Sequence, residues 1–277
     1  MALSTIEESL AVITGGASGI GLATAAALHA RGGHVVLADI NATGLERAKD
    51  ELHTRNPQAR GAILSVPTDV TNEAQVHALM QQAQETLGRI DLVVTCAGIG
   101  TGGPIDTFES SQMRSLMDIN FMGTFYCVQA ALPTMRKQGS GHFVLLSSVA
   151  GKISPAFLSG YCASKWAVRG FSAALRVELY DSGIHITTVY PAWVDTPMVH
   201  QESVESRILN VEVLLTADQV AAEILQAVAE NRRDLTLAPN HDIAQILPIF
   251  QQNQDMAEDM MGATTRRRLE KLFGKES

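Results

Sequence analysis

Val12-Ile13-Thr14-Gly15-Gly16-Ala17-Ser18-Gly19-Ile20-Gly21 joins an apolar run that begins at Leu10 to a helical pattern over Gly19–Arg31. Glycine permits a tight turn and lets backbone N–H groups approach a pyrophosphate closely. The helix that opens there presents a positive dipole end to the same charge. The stretch therefore reads as the first strand–turn–helix junction of a dinucleotide-binding fold. Alone it is weak evidence, since glycine-rich turns without ligands are common, and its spacing is GxxxGxG where the general fingerprint has GxGxxG.

Outward from this junction, short apolar runs recur at Leu10–Thr14, His34–Ala38, Ala62–Val66, Leu92–Thr95, His142–Leu146, Ile184–Val189 and Leu235–Ala238. Most lack polar alternation, the mark of strands covered on both faces. Helical patterns fill the gaps at Gly19–Arg31, Ala42–Thr54, Asn72–Leu87, Ser111–Lys137, Ser159–Asp181 and Ala217–Asn231. The rhythm predicts an α/β fold: one doubly wound, Rossmann-type domain over 1–277, with about seven parallel strands and helices on both faces. Its core spans about 10–240. Residues 241–277 form a mixed apolar and charged tail in which Arg267–Phe273 reads as a short amphipathic helix. That helix has three open roles: docking on the body, covering the substrate mouth or lying on a membrane surface.

A formal net charge of -8 speaks against a nucleic-acid partner, which needs a clustered positive field. Cys96, Cys127 and Cys162 form no CxxC pair, and the eight histidines are scattered, so no metal site is expected. The thiols read as reduced. Met1–Ser9 has no signal-peptide pattern, and no apolar run approaches the roughly 20 residues of a membrane span. A cytoplasmic protein is expected.

Asp39 ends the second strand eighteen residues beyond Gly21, where an acid binds ribose hydroxyls and repels a 2′-phosphate. Ser18 and Ile40 supply no compensating cation, so NAD is expected over NADP. The competing role for Asp39, capping the next helix, can be filled by Asn41. Asp69, in Thr68-Asp69-Val70, is equally readable as an adenine acceptor or as a helix cap. Thr95-Cys96-Ala97-Gly98 ends the fourth strand in small residues that let backbone lie against a cofactor.

Ser147 and Ser148 follow the run His142–Leu146. Thirteen residues past Ser148 comes Tyr161-Cys162-Ala163-Ser164-Lys165. On a helix, Lys165 falls one turn after Tyr161 on the same face. A neighbouring ammonium lowers a phenol's pKa from about 10, which would allow Tyr161 to exchange a proton with an alcohol while Ser148 steadies the substrate oxygen. A Tyr and Lys at this spacing are more often an ordinary surface pair. Their position beside a strand end and downstream of the glycine turn weighs against that.

Together these residues resemble the classical short-chain dehydrogenase/reductase family. Thr14–Gly21 matches its TGxxxGxG motif, Tyr161 to Lys165 its YxxxK motif, Ser148 its serine, and Asn120, in Asp118-Ile119-Asn120-Phe121, its fourth catalytic residue. The resemblance covers about Leu10 to Ala238. It implies catalysis by Asn120, Ser148, Tyr161 and Lys165, with Lys165 also on the nicotinamide ribose and Asn120 holding a relay water. It implies cofactor contacts from Gly15, Ser18, Gly19, Ile20, Gly21, Asp39, Asp69, Val70, Ala97, Tyr161, Lys165, Val194 and Thr196, and a substrate lid over 198–210. The chain departs from the family pattern at Thr95-Cys96-Ala97-Gly98, where NNAG is common, at Ala192 after Pro191, where glycine is usual, and in its longer tail.

Residues expected at the substrate pocket, Ile99, Ile153, Phe157, Leu158, Trp193, Met198 and Val199, are apolar. A hydrophobic secondary alcohol or ketone is the expected substrate. The helical patterns at 120–137 and 159–181 are apolar around more of their circumference than one sheet contact needs, which predicts a homodimer or homotetramer. The alternative from another class is a catalytically silent dinucleotide sensor or scaffold of the same fold.

Overall fold

Strand β1 (Leu10–Thr14) is buried along its whole length, as an apolar run with no polar face must be. The computed structural model, which describes residues 9–200, 212–213 and 215–273, continues with β2 (His34–Asp39), β3 (Ile63–Pro67), β4 (Leu92–Thr95), β5 (Gly141–Leu146), β6 (Ile184–Pro191), β7 (Val194–Asp195), β8 (Leu215–Thr216) and β9 (Asp234–Leu237). Seven of these form one parallel sheet in the order β3-β2-β1-β4-β5-β6-β9. The short β7 and β8 pair with each other, a feature not expected from the sequence.

Side chains alternate between two apolar layers. Ile13, Leu37, Val94, Val144 and Val189 pack on α1 (Gly19–His29), α2 (Ala42–Arg55) and α7 (Ala217–Ala229). Val12, Val36, Val93, Phe143 and Ile186 pack on α3 (Glu73–Leu87), α5 (Gly123–Gln138) and α6 (Ser159–Glu178). Each fully buried aliphatic or aromatic side chain of this kind is worth about 1.5–3 kcal/mol. Asn41 and Asn72 cap α2 and α3 by accepting from Gly44 and Gln75 N–H at 2.9 and 3.2 Å.

Two helical segments differ from the pattern expected of the sequence. The expected helix over Ser111–Lys137 is α4 (Ser110–Leu116), a π-helical turn over Met117–Met122, and then α5. In that turn Gly123 N–H reaches back to Asp118 C=O, one residue further than an α-helix allows. The tail is also far more ordered than one short helix: α8 (His241–Gln252) and α9 (Gln254–Phe273) span it. Ile246, Phe250 and Ala257 bury themselves against Ile153, with Trp166 alongside, so tertiary packing stabilises helix even through Pro248.

Candidate active site

The sheet order reverses between β1 and β4, and the loops after these strands meet there. Gly15 has φ +65 and lies so close to the β4 loop that a Cβ would fall 2.7 Å from Ala97 N. Gly21 packs on the turn itself, where a Cβ would lie 2.2 Å from Gly15 O. Thr14 Oγ1 accepts from Ala97 N–H at 3.4 Å and ties the two loops together. Ser18 stands at the N-cap of α1, but its side chain makes no capping bond and the first turn carries no acid. The Ile20 carbonyl takes the Thr24 hydroxyl at 2.7 Å. Gly19, at φ +54, lies under Thr196, whose methyl would be 3.2 Å from an added Cβ. Thr196 in turn donates to Val194 C=O at 3.2 Å.

Asp39 reaches this turn. Its Oδ2 accepts from Ala17 N–H at 3.2 Å and its Oδ1 from Asn41 N–H at 3.0 Å, while Ile40 beside it is 74% exposed. Asn41, not Asp39, caps α2. Asp69 is not a helix cap either: Asn72 has that role, and Asp69 Oδ1 accepts from Thr71 N–H and Oγ1 at 2.9 and 2.8 Å. Val70 packs against Gly123, at the junction of the π turn and α5.

At the end of β5, Ser148 Oγ accepts from Ala150 N–H at 3.2 Å and donates to Pro191 C=O at 3.4 Å. Ser148 is also close enough to Tyr161 to draw the phenol's pKa downward. Lys165 follows Tyr161 by one turn of α6, with Nζ 5.6 Å from the ring centroid. Asn120 lies in the π turn, 1% exposed. Its Oδ1 accepts from Ile99 N–H at 2.8 Å, and its Nδ2 donates to Ile99 C=O and Ser164 Oγ, each at 3.0 Å. Gly98 lies between two of these groups, since a Cβ there would be 3.1 Å from Asn120 Oδ1 and 3.7 Å from Lys165 Nζ. The structure thus gathers Asn120, Ser148, Tyr161 and Lys165 at the carboxyl edge of the sheet.

The electrostatics differ from the simple expectation of a cation lowering a phenol. Lys165 Nζ donates to Leu146 C=O at 3.0 Å. Burial pushes Tyr161 up to about 12 and Lys165 down to about 8. Ser148 is the neighbour whose hydrogen bond draws the phenol downward.

Residues 9–207 match the family model described as short chain dehydrogenase. The chain belongs to the short-chain dehydrogenase family. It is 34% identical over 241 residues to an uncharacterized oxidoreductase of Staphylococcus aureus (strain N315), covering 86% of this chain and all of that one. It is 32% identical over 221 residues to the 3-ketodihydrosphingosine reductase of Mus musculus, covering 78% of this chain and 67% of that one. Among solved structures, a short chain dehydrogenase/reductase from Burkholderia phymatum, in complex with NAD, superposes with a TM-score of 0.80 at 30% identity, covering 91% of this chain and 95% of that one.

In this short-chain dehydrogenase, two supporting residues escaped the sequence reading. Ser147 Oγ donates to Lys165 C=O at 2.9 Å, and Ser164 Oγ donates to Tyr161 C=O at 2.8 Å. Ser164 lies inside the YxxxK motif and was visible there. Ser147 looked like a duplicate of Ser148. Two residues expected at the substrate pocket lie elsewhere. Ile153 is buried under the tail helices. Phe157, at φ +65, lines a cavity of about 580 Å³ with Cys162, Ala163, Trp166 and Gln254. Those α6 residues project about 100–200° around the helix from Tyr161, so the cavity is not the space before the phenol. Cys162 behaves as packing: it is buried, and burial holds its thiol up near 12. Ile99, Trp193 and Leu158 are partly exposed, and Met198 Sδ would be 3.4 Å from a Cβ on Gly100, in the loop after β4. From residue 201 onward the expected 198–210 lid lies outside the described residues. Among the described residues, no group of three or more His, Cys, Asp or Glu is placed to hold a metal, and no helix is long and apolar enough to cross a membrane.

Proposed function

We propose that the chain oxidises a hydrophobic secondary alcohol, or reduces the matching ketone, with NAD as hydride carrier and Tyr161 as the proton-transfer residue. The observation that carries this reading is the gathering of Ser148 at the end of β5, Tyr161 and Lys165 one turn apart on α6, and Asn120 bonded to Ser164 between them.

A dinucleotide fits the residues present. The uncapped start of α1 offers N–H donors to a pyrophosphate, and Gly15, Gly19 and Gly21 keep the turn free of side chains. Asp39 sits where it can take ribose hydroxyls and repel a 2′-phosphate. Lys165 and Tyr161 would hold the second ribose, Ala97, Val194 and Thr196 the nicotinamide end, and Asp69 with Val70 the adenine end. The NAD-bound Burkholderia relative supports that choice of cofactor. Bound NAD supplies the hydride acceptor and a positive ring beside the phenol.

Burial keeps the Tyr161 proton in place at neutral pH, the form that donates to a ketone oxygen. In the oxidative direction the phenol would first lose its own proton to solvent, favoured by Lys165 one turn away and by the positive ring that bound NAD would place there; the Tyr161 phenolate then takes the alcohol proton, and Ser148 donates a hydrogen bond to the same substrate oxygen. Asn120, held by Ser164 and Ile99, would hold the water that links Lys165 to solvent. The partly exposed Ile99, Leu158, Trp193 and Met198 favour an apolar substrate, and the mouse relative is named as reductase of a 3-keto compound.

We also propose a homodimer or homotetramer built on 120–137 and 159–181. Val177 and Tyr180 there are 78% and 81% exposed, and Phe121, Phe125 and Phe171 cluster edge to face nearby.

The test is nicotinamide absorbance with NAD or NADP and a panel of apolar secondary alcohols. Turnover with NAD supports the assignment. Tight NADH binding with silence across the panel points instead to a dinucleotide sensor.

A further inference from the structure

Ser148 depends on the turn that follows it. Its Oγ is oriented by Ala150 N–H inside the 3-10 turn Val149–Gly151, which is closed by Gly151 N–H to Ser148 C=O at 2.8 Å. One such turn is a weak structure by itself. Its far end is held from α6, where Arg169 Nη1 donates to Gly151 C=O at 3.1 Å. Arg169 lies one turn beyond Lys165 and two beyond Tyr161, so a single helix face carries the proton-transfer pair and the anchor of the serine turn.

The anchor is itself held. The Arg169 guanidinium lies 4.8 Å from the Trp166 ring centroid. The Arg169 carbonyl accepts from Ser172 Oγ at 2.8 Å, and Ser172 Oγ accepts from Thr188 Oγ1 on β6 at 2.8 Å. Gly151 is pressed on the same helix, since a Cβ there would fall 2.4 Å from Ser147 Oγ and 2.9 Å from Lys165 O. Behind the turn, Lys152 Nζ donates to Thr236 Oγ1 at 2.9 Å and lies 4.0 Å from the Tyr190 ring centroid. Asp234 on β9 is engaged by Lys152 at 3.5 Å and by Arg176 at 3.0 Å. The titratable groups that feel the Arg169 charge are Lys152 and Tyr190, with Asp234 and Arg176 joined to Lys152 beyond them. The titratable groups near Tyr161 are Lys165 and Cys162 on α6 and Cys96 after β4.

We propose that Arg169 is a positioning residue for Ser148: by holding the Gly151 carbonyl it keeps the serine hydroxyl against the Tyr161 phenol. This rests on the alcohol dehydrogenase reading above. Ser148 is the group whose hydrogen bond draws the Tyr161 phenol down, so loosening the turn removes that influence.

The test is a double-mutant cycle of Arg169→Ala and Ser148→Ala, with Arg169→Lys as the conservative variant. Arg169→Ala is expected to lower kcat about tenfold to a hundredfold with KM for NAD unchanged. It should move the pH limb that reports Tyr161 toward higher pH, as Ser148→Ala does. Arg169→Lys, which keeps a donor, should restore most of the rate. In the Ser148→Ala background, Arg169→Ala should have no further effect. An ultraviolet difference titration in the presence of NAD, referenced to Tyr161→Phe, reads the same coupling without turnover: the phenolate should appear at higher pH in Arg169→Ala. Equal losses in both backgrounds, or losses that follow the folded fraction with an unmoved pH limb and titration, overturn the proposal. If Arg169→Ala does not fold, Arg169→Met, which keeps the length of the side chain but no donor, carries the same cycle in both backgrounds. Absence of wild-type turnover would defeat the dehydrogenase reading alone, since the titration still decides the role of Arg169.

Discussion

The glycine turn after β1 and the serine turn after β5 both stand at the carboxyl edge of the sheet, but they are built by opposite means. The first works with main chain: its specificity lies in missing side chains, and its close contacts, Gly15 on Ala97 and Gly21 on Gly15, are backbone against backbone. The second works with side chains drawn from β5, the π turn and α6, held by Ser147 on Lys165, Ser164 on Tyr161 and Asn120 on Ile99. A cofactor cradle of the first kind tolerates no added atoms. A reacting site of the second kind tolerates no misplacement. Substitutions should therefore fail differently at the two ends.

The largest separation is expected from Tyr161→Phe. Removing the phenol hydroxyl should lower kcat about 10³-fold or more while NADH affinity, measured by fluorescence titration, stays within about twofold. Equal loss of rate and affinity would merge the two ends into one unit.

Next in size is an acid sensitivity built into β5 and absent from β1. Burial holds His142 down at about 3, with His185 alongside, and its ring Nε2 pairs with Thr187 Oγ1 at 2.8 Å. The unfolded chain binds a proton near 6.5 that the folded chain refuses, so stability falls as pH drops from 6.5 toward 3. By pH 4 the loss from this group is roughly 3 kcal/mol. The buried shifts of His29 and His185 act in the same direction. Urea midpoints at pH 7 and pH 4 should converge in His142→Gln relative to the parent, and an unchanged gap would assign the acid loss to other groups.

Gly21→Ala tests the other end. Its methyl would lie 2.2 Å from Gly15 O, so the turn must shift, at about 1–3 kcal/mol. NADH affinity should fall with stability. Full affinity in a normally stable variant would show that the turn is looser than its contacts indicate. The smallest effect is set by Asp39→Ala, which removes a charge and leaves the cradle. Preference for NADH over NADPH should relax about tenfold; undiminished preference would place cofactor choice on another residue.

The difference between the two ends also explains what the sequence made readable. Local chemistry wrote the strands, the glycine turn and the Asn41 cap, because each depends on residues within one turn or run. The apolar strands lacked alternation since both faces are covered, and that alone indicated a sandwiched parallel sheet. The π turn was invisible because it depends on Asn120 bonding to Ile99, 21 residues away. The tail was underread for a similar reason: Pro248 and a mixed charge pattern argue locally against long helices, and the contacts that favour them come from Ile153 and Trp166. Tyr161 and Lys165 were found by spacing, but the burial that sets their proton affinities belongs to the folded molecule.

The central claim is hydride transfer with Tyr161 moving the proton, and an apolar secondary alcohol deuterated at its carbinol carbon tests it most directly. Incubated with NAD, the wild-type protein should place the deuterium on the nicotinamide ring, seen by mass spectrometry of the NADH formed, and Tyr161→Phe should transfer almost none. Labelled NADH formed equally well by the variant would remove Tyr161 from the chemistry, and unlabelled NADH would mean that the hydride never came from the alcohol carbon.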